Sequence, residues 1–448
     1  MTSEALPTTA VTSSKRSLDD ADGESQVDDK KQRLEDDEAQ QQSKKRSKVS
    51  RKYAMLLSYA GNNYYGMQTQ GKGGEVTIES KLLEAMVKAG VIGQELADKP
   101  LDFNFQRAAR TDKAVSAVRQ CCSMWLDLEK DANIDTVPSL INAQLPDDIR
   151  VMGLKRATKG FHCQKNCDSR TYSYTLPTFS FAPCVENTNM KFRISEEQLA
   201  EVNKLLGIYK GTHNFFNYTA KREHSDKSCF RYIISFECGK PFVYHDAVHG
   251  EVEFATIQIR GASFMLHQIR KMIGMVIAIM RGLANKSVIQ KTWEEKRVDV
   301  PRAPGLGLML EKVHYTTYDR KFSKTHATLD EWPECAAAIE EFREKCILAN
   351  ILKTEMKDNS MMNWLSVLLY HTYDGCEEGA PKPFCHAQHQ INTANASEGA
   401  ENDKDTDDAE RDDDKNDVTE RKGIEGEGDS LVQADEGAEN VKAAIGER

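Results

Sequence analysis

The run Arg107-Ala108-Ala109-Arg110-Thr111-Asp112-Lys113-Ala114-Val115-Ser116-Ala117 carries one carboxylate, Asp112, among three cations, Arg107, Arg110 and Lys113. Before it, Leu101-Asp102-Phe103-Asn104-Phe105 is β-prone; after it comes an apolar run from Cys121 to Leu126. Asp112 is therefore expected in a loop between two strands, beside ionised cations that favour its charged form. A charged carboxylate on such a loop suits a nucleophile or general base acting on a polyanion. From these residues alone, a capped turn with a solvated charge pair is the commoner arrangement.

Upstream, Tyr53-Ala54-Met55-Leu56-Leu57-Ser58-Tyr59 reads as a strand ending in the turn Gly61-Asn62-Asn63. Tyr64-Tyr65-Gly66-Met67-Gln68 then forms either a packed turn or a stacking surface for nucleic acid. Glu79 to Val91 has Leu82, Leu83, Met86 and Ala89 at helical spacing. Downstream, alternation in Arg170-Thr171-Tyr172-Ser173-Tyr174-Thr175 puts Arg170, Tyr172 and Tyr174 on one face of a strand. A lone strand tyrosine is ordinarily core, but two in register with an arginine make a floor on which an unstacked base could lie.

Ser195 to Ile208 has a helical pattern, and Gly211 to Tyr218 an aromatic turn followed by Lys221, Arg222, Lys227 and Arg231. Basic and aromatic residues interleaved this way suit distorted RNA, and equally a packed turn beside a solvated loop. Glu251 to Ile259 alternates as a strand. Ala262 to Arg281 follows as a helix whose core face holds Met265, Ile269, Met272, Ile273, Val276 and Met280. Arg270 falls at the edge of that face, either paired with an anion or exposed beside Lys271.

The 448 residues are 29% charged with a formal net charge of −10, but the acidity sits at the ends. Residues 1–50 hold 11 acidic and 9 basic side chains and residues 391–448 hold 19 and 7, which leaves residues 51–390 at +4. A mildly basic body fits a nucleic-acid partner. Residues 1–50 cannot bury enough apolar surface to fold. Within them Lys30-Lys31-Gln32-Arg33 and Lys44-Lys45-Arg46-Ser47-Lys48 resemble a two-part nuclear-localisation signal. Their acidic content argues against a mitochondrial transit peptide in this form, leaving the mitochondrion to another isoform. Residues 322–390 read as a helical extension, with helices at Pro333–Ala349 and Asn359–Tyr373 and Trp332, Phe342, Trp364, Leu368 and Tyr370 available to pack. Residues 391–448 are acidic and low in complexity, hence expected to be disordered and to oppose RNA binding nearby, as a competitor or a partner site.

Eleven scattered cysteines without a secretory segment indicate a reducing compartment. Cys163-x-x-x-Cys167 beside His162 lacks a second ligand pair at finger-like spacing, so ordinary thiols are expected rather than zinc. The longest apolar run, Met272 to Met280, is about half of a membrane span, so no membrane association is expected.

Arg110 to Ala117 resembles the catalytic loop of the TruA-type pseudouridine synthases. Four further segments resemble motifs of that family in the same order: Ser58 to Gln68, Ser169 to Tyr174, Gly261 to Arg270 and Val300 to Leu308. The resemblance implies an α+β fold of two ferredoxin-like halves, residues 51–175 and 176–321, forming one mainly antiparallel sheet with a central cleft. It implies isomerisation of uridine to pseudouridine in tRNA without metal or organic cofactor: the N1–C1′ bond breaks, the base rotates and C5 joins C1′. Asp112 would be the nucleophile or base, acting on the sugar or on the ring. Arg270 would pair with Asp112, and Tyr172 would stack on the uracil and assist proton transfer. Arg110 would clamp a phosphate or wedge the uridine out of its stack, with Arg107, Lys113, Arg170 and Phe264 completing the substrate-binding set. Anticodon-stem uridines near positions 27 and 28 are the expected targets, with other structured RNAs as further substrates.

One position departs from the family pattern. Ala114 stands where a glycine is usual, and a φ above zero there would cost alanine roughly 1 kcal/mol. Monomer and dimer are both compatible with the sequence. Two other classes remain: an RNA-binding protein on the same fold, against which Asp112, Tyr172 and Arg270 together argue, and an Asp-nucleophile hydrolase. The hydrolase would want a second carboxylate for magnesium, and Asp102 is the one nearby candidate.

Overall fold

The computed structural model of the protein describes residues 48–69, 75–130, 133–184 and 188–373. The basic cluster Lys30–Arg33, the Lys44–Lys48 cluster except Lys48, and the acidic segment 391–448 lie outside the described residues. Ten strands form one sheet: β1 (Lys48–Tyr59), β2 (Gln106–Arg107), β3 (Ser116–Glu129), β4 (Ile149–Arg156), β5 (Ser169–Pro177), β6 (Gly211–Asn214), β7 (Phe230–Cys238), β8 (Phe242–Asp246), β9 (Gly250–Gly261) and β10 (Leu308–His314). The order is β4-β1-β3-β10-β5-β9-β7-β6, with β2 paired to β3 and β8 to β9. All pairings are antiparallel except β10 with β3. This is the expected α+β architecture with a large, mainly antiparallel sheet.

Two hydrophobic cores lie along this sheet. One gathers Tyr53, Met55, Leu57, Leu82, Met86, Val118 and Met124 around β1, β3 and the helix Ile78–Lys88. The other gathers Tyr174, Ile257, Ile259, Met272, Ile273 and Val276 around β5, β9 and the helix Gln268–Met280. The first helix follows its sequence signals. Thr77 and Ser80 form a reciprocal capping box at its start, and Ile78, Leu82, Leu83, Ala85 and Met86 are its buried stripe. Ser195 and Gln198 cap the helix Glu196–Gly207 in the same way.

Local signals failed at three places. β1 begins at Lys48, five residues before the expected start, because the long partner strand β3 offers ladder positions as far as Glu129. Leu101–Phe105 is not a strand: Pro100 starts a 3-10 turn, and Asn104 closes it at φ 52°. The helix carrying Arg270 starts at Gln268 rather than Ala262, since β9 runs on to Gly261 and His267 sits at φ 63°.

From Pro333 to Tyr370 the chain is helical apart from Asn359, which sits at φ 53° between two helices; it runs through Ala336–Phe342, the wider turn Arg343–Leu348, Ala349–Asp358 and Ser360–Val367. It covers both cores, with Ile339, Phe342 and Ile347 on the first and Met356, Met361 and Leu365 on the second. Between them Arg343 meets Glu311 of β10 at 3.4 Å, and Glu311 accepts a 2.8 Å bond from the Ser173 hydroxyl of β5. Among the described residues, no helix is long and apolar enough to cross a membrane.

The packing of the Arg270 helix gives a test with a reversed sign. A Cβ on Gly274 would fall 2.3 Å from the Pro301 carbonyl oxygen. In an open helix, Gly→Ala stabilises by about 1 kcal/mol; here overpacking should outweigh this, and Gly274→Ala should destabilise by roughly 1–3 kcal/mol. Urea unfolding measures it, and a raised midpoint would contradict the close approach.

Candidate active site

The loop from Ala108 to Ser116 is held almost wholly through its own backbone. The Ala108 N–H donates to the Cys121 carbonyl at 2.8 Å. The buried Gln120 carboxamide accepts from the Ala109 N–H at 3.1 Å and donates to the Ala109 carbonyl at 2.7 Å. Thr111, also buried, shares a 2.7 Å hydroxyl bond with Tyr59, and its carbonyl accepts from the Met67 N–H at 3.1 Å. Past the carboxylate, the Ala114 N–H donates to the Tyr64 carbonyl and the Val115 N–H to that of Asp112, both at 3.1 Å. Asp112 is thus presented on a braced turn with 39% of its side chain exposed.

Two sheet neighbours bring the opposite wall. Leu310 of β10 pairs with Ala117 on one side and with Tyr172 on the other, so Tyr172 faces the loop across a single strand. Its ring is half-buried and meets Phe264 edge-on at 5.4 Å. Burial pushes the Tyr172 phenol up to about 12; Arg170 opposes the shift and the Asp112 carboxylate adds to it. Tyr174, two residues on, is fully buried and donates to the Pro304 carbonyl at 2.7 Å. Arg270 stands beneath that same loop: its Nε donates to the Ala303 carbonyl at 2.7 Å, and the Ala303 N–H donates back to the Arg270 carbonyl at 3.2 Å.

A braced carboxylate and an edge-packed tyrosine face each other across β10, and Arg270 is anchored to the Ala303 loop. Residues 206–316 match the tRNA pseudouridine synthase family. The chain is 42% identical over 363 residues to the pseudouridylate synthase 1 homolog of Mus musculus, covering 80% of this chain and 81% of that one. It is 41% identical over 366 residues to the Homo sapiens pseudouridylate synthase 1 homolog, covering 79% and 80%. Against tRNA pseudouridine synthase 1 of Yarrowia lipolytica it is 32% identical over 391 residues, covering 68% and 71%. The chain belongs to the tRNA pseudouridine synthase family.

Within this pseudouridine synthase, two arginines expected at the substrate are committed elsewhere. Arg107 meets the buried Glu79 at 2.8 Å and lies over the Phe105 ring. Burial pushes the Glu79 carboxyl up and Arg107 opposes it, so this cation ties the start of the first helix to β2. Arg170 donates from Nη2 and Nε to the Ala108 carbonyl at 2.8 and 3.2 Å, and from Nη1 to the Ala262 carbonyl at 3.2 Å. It is a brace tying the Asp112 loop to the segment after β9. Arg110 and Lys113 are exposed, with Lys113 lying 4.6 Å over the exposed Tyr65 ring. Of the aromatic segments left open, Tyr64 is buried with its hydroxyl on Asp148 at 2.6 Å, and Phe215, Phe216 and Tyr218 are core.

His267 belongs to the Gly261 to Arg270 segment. Its Nδ1 is 3.9 Å from Asp112 Oδ2, and its Nε2 is 2.9 Å from Arg302 Nη1. A guanidinium can only donate, so Nε2 accepts and the ring proton belongs on Nδ1, facing the carboxylate. Gln120 was missed; one signal for it was a lone amide in an apolar strand run. Among the described residues no group of three His, Cys, Asp or Glu side chains is placed to hold a metal ion.

Two exchanges at positive φ should act in opposite directions. Gly66 has φ 97°, and a Cβ there would lie 2.7 Å from the Thr111 carbonyl oxygen, so Gly66→Ala should cost about 1–3 kcal/mol. Ala114 has φ 63°, and Ala114→Gly should relieve roughly 1 kcal/mol of strain, partly offset by the freer unfolded chain. Denaturant midpoints should therefore fall for the first and hold or rise for the second; a fall at Ala114→Gly contradicts the assignment of strain.

Proposed function

We propose that this protein isomerises uridine to pseudouridine in tRNA, with the target uridine turned out of its helix into the cleft between Asp112 and Tyr172. The observation that carries the reading is the meeting of Asp112 with Tyr172 across β10 in a chain of this family. Asp112 serves as nucleophile or base, at the sugar C1′ or on the uracil ring. The N1–C1′ bond breaks, the uracil turns, and C5 bonds to C1′. The C5 proton then leaves and N1 takes one up, so the product is an isomer of the substrate.

Arg270, anchored under the Ala303–Gly305 loop, is the partner for the Asp112 charge. Tyr172 and Phe264 form an edge-packed aromatic floor for the uracil, and the raised phenol keeps Tyr172 neutral, able to donate or relay a proton. His267 completes the acid–base set from the other side of the carboxylate. Arg110 and Lys113, both exposed beside Asp112, hold phosphates next to the flipped nucleotide, whose extraction costs a few kcal/mol. The substrates are anticodon-stem uridines near positions 27 and 28, with other structured RNAs within reach. The basic clusters at Lys30–Arg33 and Lys44–Lys48 direct the protein to the nucleus.

The decisive experiment compares wild type with Asp112→Asn on an unmodified tRNA transcript, reading pseudouridine by carbodiimide primer extension and binding by filter retention. Modification should disappear while binding stays; modification that survives Asp112→Asn would sink the mechanism. The floor is tested separately. Tyr172→Phe should keep tRNA affinity, whereas Tyr172→Ala should weaken it by about 1–3 kcal/mol, the worth of one stacked base. Equal affinity for all three proteins would remove Tyr172 from the uracil.

A further inference from the structure

A second cavity lies off the catalytic cleft, in a place that the isomerisation chemistry does not use. It has a volume of about 660 Å³, between the loop that joins β4 to β5 and the helix Thr316–Phe322. Lys159, Lys165 and Lys321 stand on its walls, all three exposed, and the rings of Tyr318 and Phe322 line it. Asp168 is the one carboxylate in its lining, and it already accepts the Thr317 N–H at 2.8 Å. The cavity thus presents three cations against one carboxylate that is already hydrogen-bonded, beside aromatic surface.

The walls are built. Tyr318 Oη accepts from the Thr158 N–H at 2.9 Å, and its hydroxyl lies 3.2 Å from Thr158 Oγ1. Across the loop, Asn166 Oδ1 accepts from the His162 N–H at 2.8 Å, and His162 Nδ1 accepts from the Gln164 N–H at 3.2 Å. Lysines at fixed stations around an aromatic wall match a nucleic-acid backbone, which offers a phosphate to each cation and a sugar face to the rings.

Position names the occupant. The Asp168 N–H continues the β5 ladder by donating to the His314 carbonyl at 2.9 Å. Alternation then carries Asp168, Arg170 and Tyr172 to the same face, and four residues of strand put the cavity rim roughly 13 Å from Tyr172. A polynucleotide whose base lies on Tyr172 runs past this rim within a few nucleotides.

We propose that this lysine-walled groove binds the sugar–phosphate backbone of the substrate tRNA beside the flipped uridine, an inference that rests on reading the Asp112 cleft as the pseudouridylation site. The groove contributes affinity and register rather than chemistry.

The test uses the full chain and an unmodified tRNA transcript. Lys159→Gln, Lys165→Gln and Lys321→Gln are combined, and the dissociation constant is followed against KCl concentration. Losing three phosphate contacts should lower the slope of log affinity against log salt by about 2, at about 0.7 per contact. KM should rise while kcat at saturating tRNA holds, and the Arg triple at the same positions should restore the slope. A control triple, Lys81→Gln, Lys88→Gln and Lys345→Gln, removes exposed lysines that pair with glutamates elsewhere and should keep the wild-type slope. An unchanged slope in the groove triple, or an equal fall in the control, overturns the proposal. A melting curve on each variant excludes misfolding as the cause. Wild type that binds tRNA but makes no pseudouridine would overturn the reading of the cleft, and the salt slopes would still judge the groove.

Discussion

A pairing of two rungs carries the most. Met309 and Leu310 of β10 run parallel to Ser116 and Ala117 of β3, and those two rungs join the two cores into one sheet. Parallel pairing is slightly weaker per residue than antiparallel, so two rungs alone are a poor hinge. The back of the seam supplies what they lack. Glu311 of β10 is held by Ser173 of β5 and by Arg343 of the C-terminal helical segment, whose apolar residues cover both cores. A slip of one residue in β10 would turn Leu310 to the other face and part Tyr172 from the Asp112 loop. The helical segment thereby helps to hold the register that brings Tyr172 to the Asp112 loop.

The Asp112 loop is organised on the same economy. Cations around the aspartate looked in the sequence like its electrostatic support, yet Arg107 bonds elsewhere, as does Arg170 of β5. Arg107 neutralises Glu79, and Arg170 spends three donors on the carbonyls of Ala108 and Ala262. What holds the loop in place is bonding of its backbone to Gln120, Met67 and Tyr64 and of the Thr111 hydroxyl to Tyr59. An arginine on carbonyl groups fixes geometry without neutralising a charge. Arg170 therefore braces both walls through their carbonyls, and Asp112 keeps 39% of its side chain exposed.

Much of this was legible in the sequence wherever short-range rules govern. The helices starting at Ile78 and Glu196 follow from helical spacing, β3 from an apolar run, and β5 and β9 from alternation. The Asp112, Tyr172 and Arg270 segments were found because each carries a motif in a fixed order. Illegible were the features decided by a distant partner. Leu101–Phe105 is β-prone by composition, but Pro100 and Asn104 bend it before a ladder can form. Arg107 could not be told from a phosphate ligand without Glu79, which lies 28 positions away. The turn at Phe215–Tyr218 showed aromatics among basic residues, and only tertiary packing reveals that the rings point into the core. Charge was misleading in bulk for a related reason: the net −10 of the chain is set by its ends, while the groove beside β5 has three lysines to one carboxylate.

Ala114 and His267, two non-glycine residues at φ 63°, belong to the two segments that meet at Asp112. Ala114 lies two residues past Asp112, and His267 brings its imidazole to 3.9 Å from the same carboxylate. Backbone held in the left-handed region costs each residue of order 1 kcal/mol or more, and it persists only where surrounding contacts over-determine it. Both sites meet that condition. The Ala114 N–H is tied to the Tyr64 carbonyl, and His267 is followed at once by Gln268, whose side chain reaches back to the Met265 N–H at 2.8 Å. The strain has a direction. Relaxing Ala114 would pull the N–H away from Tyr64 and loosen the turn, and relaxing His267 would let the helix begin earlier and swing the imidazole off Asp112. Both departures from ordinary backbone keep the carboxylate between its neighbours, and their cost is borne by the packing of the two cores.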